Sequence, residues 1–193
     1  MAKKESTLFN MTLTLLVVTF IASSSLGYVY ELTKEPVAKA KLAKKTEALA
    51  KAAPAFDNNP VEEMYKVFVE EGYDSLEAYP LKRNGDLVGT AIRSYSKKGF
   101  GGEVWIMAGF NADGTIHSIE VLDHKETPGL GTKMSDPEFK DQFAGLDPAK
   151  TNMKVKKDGG TIDAITAATI SSRAFADAAM RAYQAFKKGG NDE

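Results

Sequence analysis

Apolar and polar positions divide the chain into three stretches of different rhythm. From Ser6 to Tyr30 no charged residue occurs, and the centre, Leu13 to Ala22, is apolar apart from Thr14 and Thr19. As a helix rising about 1.5 Å per residue, such a stretch exceeds the roughly 30 Å hydrocarbon core of a bilayer. Tyr28 and Tyr30 stand at its far end, where aromatic belts lie. The pattern predicts a short tip and a transmembrane helix over residues 1–30. A signal peptide cleaved near Ala22-Ser23-Ser24-Ser25 is the alternative. The uncharged stretch continues past those serines through Leu26, Tyr28 and Val29, which favours a retained anchor.

Residues 31–53 have a different texture. Thr33-Lys34-Glu35-Pro36 reads as a helix start, with Pro36 in the first turn. Val37 to Ala53 is rich in Ala, Leu and Lys, which are good helix formers, and Pro54 ends it. Six lysines face three glutamates here. The expectation is an amphipathic helical spacer, solvated, whose lysines reach anionic headgroups of membrane lipid.

Residues 54–193 alternate between strand and helix periods. Asn59-Pro60 opens a predicted helix with Val61, Met64, Tyr65 and Phe68 on one face and Gly72 as its stop. Leu76 to Arg83 and Leu87 to Tyr95 read as strands joined by Asn84-Gly85, a strong hairpin signal. Val104 to Phe110 and the run Ile116, Ile119, Val121 follow, separated by Asn111-Ala112-Asp113-Gly114. A short helix is expected at Asp136-Pro137, closed by Gly145. Met153 to Lys156 is a further candidate strand. A final helix is expected from about Ile170 to Lys188, with Phe175, Ala178, Ala179, Ala182, Tyr183 and Phe186 on one face. The fold class is α+β: an antiparallel sheet with packed helices behind a membrane helix.

Composition narrows the chemistry. The chain has 193 residues, 43% of them hydrophobic, with no cysteine and two histidines, His117 and His124. That excludes disulfides, thiolate metal sites, Cys-ligated clusters and a cysteine nucleophile, and disfavours a histidine metal site. A formal net charge of -1 gives no electrostatic footprint for nucleic acid. Charge does not settle orientation. Lys3, Lys4 and the amino terminus favour a cytoplasmic start, while the lysines after the span point the other way.

Two segments are unusual for scaffolding. His124 to Lys133 contains Pro128-Gly129-Leu130-Gly131, which leaves backbone N–H groups open to a planar or phosphorylated ligand. The same pattern also suits a tight surface turn. Asp163 to Ser172 clusters hydroxyls where the last helix begins. It reads either as an N-cap run through Ser171 or Ser172, or as an anion site at a helix start.

Together these segments resemble a known family. Asp163-x-x-Thr166-Ala167-Ala168-Thr169 resembles the flavinylation motif of covalent FMN-binding domains, with Ala167 where glycine is usual. Glu126-Thr127-Pro128-Gly129-Leu130-Gly131 is similar to the family's second signature, and Gly99-Phe100-Gly101-Gly102 to its glycine loop. Their order, spacing and the N-terminal span resemble the G subunit of Rnf electron-transport complexes. The C subunit of the sodium-pumping NADH:quinone reductase is a related alternative. The resemblance implies FMN joined through its phosphate to Thr169, with Thr166, Ala168, Ile170 and Ser171 beside it. The Glu126–Lys133 loop is then the candidate ring contact, through Glu126, Thr127, Gly129, Leu130, Gly131, Thr132 and Lys133. Asp163, Thr166 and Ala168 are the implied recognition residues for a flavin transferase. The implied role is that of an electron-carrying subunit of a multi-subunit ion-translocating oxidoreductase, not catalytic by itself, in company with other membrane subunits of the complex. Its domain would face away from the cytoplasm of the inner membrane. The rival from another class is a membrane-anchored binding module with no redox role.

Overall fold

The structure is a computed structural model describing residues 7–189. Lys3, Lys4 and Glu5, on which part of the orientation argument turns, lie outside the described residues. The first element is one helix, α1, spanning Leu8–Ala52. Its N-terminal part is long and apolar enough to cross a membrane. Thr12, Thr14 and Thr19 donate their hydroxyls to the carbonyls of Leu8, Asn10 and Leu15 at 2.9, 2.7 and 2.8 Å. Each polar group is thereby satisfied within the segment, as a hydrocarbon environment demands.

No helix starts at Thr33–Pro36, because α1 runs straight through Pro36. Proline forfeits one backbone bond, yet helix-favouring residues flank it on both sides. Thr33 bonds back to the Val29 carbonyl at 2.8 Å, and Glu31 pairs with Lys34. The chain divides into two compact units, Met1–Ala43 and Lys44–Glu193. The last turns of α1 therefore belong to the folded domain rather than to a solvated spacer ending at Ala53. Ala48, Leu49 and Ala52 lie on one helix face and are buried with Tyr79, Leu81, Ala91 and Met107. Gly109 permits this approach: a Cβ there would lie 1.9 Å from the Ala52 carbonyl oxygen.

The sheet is an antiparallel meander of five strands in chain order. They are β1 (Tyr65–Val67), β2 (Leu76–Arg83), β3 (Asp86–Ser96), β4 (Val104–Asn111) and β5 (Ile116–Asp123). The helix expected after Asn59-Pro60 is absent. A turn forms there, Glu62 donating to the Asn59 carbonyl at 3.2 Å, and Tyr65 pairs with Ala78 in the sheet. The run Tyr65-Lys66-Val67-Phe68-Val69 is β-branched and aromatic, which suits an extended edge. Asn84 and Gly85 both take positive φ, 54° and 90°, as a two-residue hairpin turn of this kind requires.

Beyond β5, helix α2 is a single turn, Pro137–Lys140, continued by a 3-10 turn over Asp141–Phe143. The candidate strand at Met153–Lys156 reduces to one parallel bridge, Val155 to Ile162. Helix α3, Thr169–Gly189, packs its alanine-rich face on the sheet. Alternate sheet residues point to opposite faces: Ile92 joins the α3 core and Ala91 joins the end of α1. Small side chains at Ala174, Ala178 and Ala182 let α3 come close enough for Ser94 to donate to the Ala178 carbonyl at 2.8 Å. Phe175 meets Phe139 and Phe143 at 5.2 and 5.0 Å between ring centroids. This packing fixes the start of α3 against the loops that leave β3 and β5.

Candidate functional site

Two loops and the start of α3 meet at one carboxylate. Glu126 follows β5 and is only 6% exposed. Its Oε1 accepts the Gly101 amide at 3.1 Å, and its Oε2 accepts the Ser171 hydroxyl at 2.6 Å. Gly101 belongs to the loop between β3 and β4, and Ser171 to the first turn of α3. The backbone approaches just as closely. A Cβ on Gly101 would lie 1.8 Å from the Lys125 carbonyl oxygen. One on Gly131 would lie 2.5 Å from Ser171 Oγ and 2.6 Å from Glu126 Oε2. The glycine loop is held a second time by Asp177 of α3, which takes the Ser96 hydroxyl and the Lys98 ammonium, both at 2.6 Å.

The start of α3 is closed by Ser172. Its hydroxyl oxygen accepts the Ile165 amide at 2.9 Å and its proton goes to the Ala168 carbonyl at 3.0 Å. Ala168 in turn donates its amide to the Ile165 carbonyl at 3.0 Å. The serines do not cap helical amides, as an N-cap run would. Ser172 serves a loop amide and Ser171 serves Glu126. The tight turn forces Ala167 to a φ of 61°, a left-handed conformation that glycine adopts without strain. Ser172 makes the first intrahelical bond, to the Ala168 carbonyl at 3.1 Å. The amides of Thr169, Ile170 and Ser171 therefore precede the helical ladder, and no acidic residue sits in the first turn.

The other predicted residues fall around this node. Thr169 is half-buried at the helix start, Thr166 is exposed and Ala168 is buried. Leu130 donates its amide to the Thr127 carbonyl at 3.1 Å, and Gly129 to the Thr132 hydroxyl at 3.0 Å, which makes a compact turn. Three apolar side chains project from these two loops and the start of α3: Phe100 is 70% exposed, Leu130 41% and Ile170 46%. Each is the chain neighbour of a residue packed on Glu126, namely Gly101, Gly131 and Ser171. Lys133 is exposed. Asp163 is held elsewhere: its backbone bonds both ends of the Gln142 side-chain amide, at 2.8 and 3.3 Å, and its carboxylate pairs with Lys156 at 2.7 Å. Sequence reasoning missed Gln142, Asp177 and the bond from Ile165 to Ser172. All three are contacts distant in sequence or hidden in a hydroxyl-rich run.

Among the described residues no cluster of His, Asp and Glu could hold a metal ion. The helix start suits a phosphate instead, with free amides and the positive end of the dipole. The exposed apolar side chains beside it suit a flat ring.

Residues 99–184 match the model of the FMN-binding domain family. The chain is 32% identical to the G subunit of the Na(+)-translocating ferredoxin:NAD(+) oxidoreductase complex of Acetobacterium woodii, over 93% of this chain and 91% of that one. It is 34% identical to the G subunit of the ion-translocating oxidoreductase complex of Vibrio atlanticus, over 88% and 87%. The corresponding G subunit of Methanosarcina acetivorans is 32% identical, over 86% and 87%. A solved C subunit of the Na(+)-translocating NADH-quinone reductase from Parabacteroides distasonis overlaps 70% of this chain and 69% of its own, at a TM-score of 0.48 and 19% identity. The chain belongs to the G-subunit family of ion-translocating oxidoreductase complexes and carries that family's FMN-binding domain.

Proposed function

We propose that this chain is the flavin-carrying subunit of an ion-translocating ferredoxin:NAD+ oxidoreductase complex, with FMN joined through its phosphate to Thr169. The observation that carries the proposal is the helix start. Thr169 stands half-buried at the first position of α3, among amides without helical acceptors and without an acidic neighbour in the turn. A phosphodiester on its hydroxyl meets the positive end of the helix. FMN, when bound, supplies reversible electron exchange, and the protein supplies position and electrostatics.

This chain's own residues divide the work. Ser172 and Ile165 hold the turn that presents Thr169. Leu130, Ile170 and Phe100 offer apolar surface to the ring, and the compact Thr127–Thr132 turn holds Leu130 in place. A threonine hydroxyl is a weak nucleophile at neutral pH. The acceptor turn holds no histidine. A separate flavin transferase therefore makes the bond, reading the exposed Asp163 and Thr166. Helix α1 anchors the chain beside the other membrane subunits, its lysines near lipid headgroups, with residues after Tyr30 on the extracytoplasmic side.

Intact-mass measurement tests this reading. Protein from cells expressing the transferase should be heavier than its sequence by FMN less one water, and Thr169→Ala should remove the increment. Covalent flavin persisting in Thr169→Ala would sink the assignment.

A further inference from the structure

We propose that Glu126 is a positioning residue whose carboxylate clamps the Gly99–Gly102 loop to the first turn of α3, and so sets where Thr169 stands relative to Phe100 and Leu130. The ligand in this proposal rests on the flavin reading above; the clamp itself does not.

The clamp is built from groups far apart in sequence. Glu126 Oε1 takes the Gly101 amide, 25 positions upstream, and Oε2 takes the Ser171 hydroxyl, 45 positions downstream. Both oxygens point inward, on a side chain 6% exposed. A carboxylate so placed does not offer its charge to a ligand outside; it uses its acceptors to join two elements. The glycines around it have the same cause. At Gly99 a Cβ would lie 2.7 Å from Glu126 Oε1, and at Gly131 2.6 Å from Oε2. Those two loops lack side chains where the carboxylate sits, so the family's glycines read as room for Glu126 as much as for a ligand.

Chemistry separates positioning from charge. Glu126→Gln can keep both bonds: the amide's carbonyl accepts the Gly101 N–H, and its NH2 donates to Ser171 Oγ, whose own proton rotates away. Glu126→Ala keeps neither: it frees the Gly101 amide and leaves the buried Ser171 hydroxyl unpaired. Ser171→Ala breaks the α3 side alone.

The test uses the full-length chain in detergent, prepared with and without co-expressed transferase. Amide exchange is followed at Gly101 in the unflavinylated protein, and the visible circular dichroism of the flavin is recorded in the flavinylated one. Glu126→Ala should speed Gly101 exchange by about tenfold or more, the ratio for one lost bond of ordinary strength, and should weaken the flavin dichroism. Glu126→Gln should stay within about threefold of the parent, since its acceptor is retained, with parent-like dichroism. Ser171→Ala should leave Gly101 protected while altering the dichroism. Parent-like behaviour of Glu126→Ala in both readouts overturns the clamp. So does a Glu126→Gln variant as perturbed as Glu126→Ala, because charge would then be what matters. Where Glu126→Ala does not fold, Ser171→Ala decides: unchanged flavin dichroism there overturns the proposal. A parent protein that gains no FMN mass defeats the flavin reading alone, and Gly101 exchange still judges the clamp.

Discussion

The Ser172 hydroxyl accepts the Ile165 amide at 2.9 Å, and this one contact closes the turn that carries Ala167 and delivers the chain to Thr169. Both partners are buried. Ser172→Ala leaves the amide without an acceptor, at a cost of about 1–3 kcal/mol. We expect a lower urea midpoint with an unchanged slope, and a smaller flavinylated fraction by intact mass. A midpoint equal to the parent's would show that water replaces the hydroxyl and that the turn holds itself.

Ala167 tests the same turn from the backbone side. Its φ of 61° lies in the left-handed region, where an L side chain costs roughly 1–2 kcal/mol. Glycine removes that strain but adds freedom to the unfolded chain, worth about 0.4–1 kcal/mol. Ala167→Gly should therefore stabilise the domain by up to about 1.6 kcal/mol. Ala167→Val, β-branched at the same φ, should destabilise it. Thermal melts of the three proteins should rank glycine, alanine, valine. Valine melting level with alanine would mean the turn relaxes out of the left-handed region.

Stability should fall on both sides of neutral pH through one cluster under the end of α1. Glu77 is partly buried, which opposes ionisation. Hydrogen bonds from Lys45 and Tyr79 and the nearby charge of Arg93 outweigh burial and hold its carboxyl below the ordinary range. A carboxyl lowered on folding stabilises the folded chain above its unfolded value of about 4.3, and that gain is lost as pH falls through the folded value. Tyr79 is raised, by burial and then by Glu77. Its contribution is present below the unfolded value of about 10 and fades as pH rises above it. Glu77→Gln should flatten the acid limb of a stability–pH curve, and Tyr79→Phe the alkaline limb. Unchanged limbs in both variants would place the pH dependence elsewhere.

The parts of the fold that follow local rules were legible in the sequence. Asn84-Gly85 announced its hairpin because few residue pairs accept two positive φ values, and Phe175 to Phe186 announced α3 by its period. The errors arose where distant packing decides. Val61, Met64, Tyr65 and Phe68 have helical apolar spacing, and only pairing with β2 makes Tyr65–Val67 a strand. Ala48, Leu49 and Ala52 read as part of a stalk by composition, and only packing at Gly109 and Tyr79 reveals that they are core. At the site the motifs located Glu126, but not that its oxygens face Gly101 and Ser171. No local pattern encodes where a carboxylate points.

Gly129 and Gly131 are two positions apart and should fail for different reasons. At Gly129 nothing lies within 4 Å of an added Cβ, but φ is +76°. Alanine there meets strain and no collision, so Gly129→Ala should cost about 1–2 kcal/mol and leave the Glu126 contacts in place. At Gly131, a buried position, a Cβ collides with Ser171 Oγ at 2.5 Å and with the Glu126 side chain at 2.6 and 2.7 Å. Neither partner can retreat without giving up its bond to the other, so Gly131→Ala combines overpacking of about 1–3 kcal/mol with a lost buried hydrogen bond. Denaturant melts should therefore place Gly131→Ala well below Gly129→Ala. The flavin dichroism should separate them further: altered more in Gly131→Ala than in Gly129→Ala, because only the first displaces the first turn of α3 that bears Thr169. Equal stability and equal dichroism in the two variants would mean that Gly131 is free of the node and that Ser171 and Glu126 yield to a methyl group at no cost.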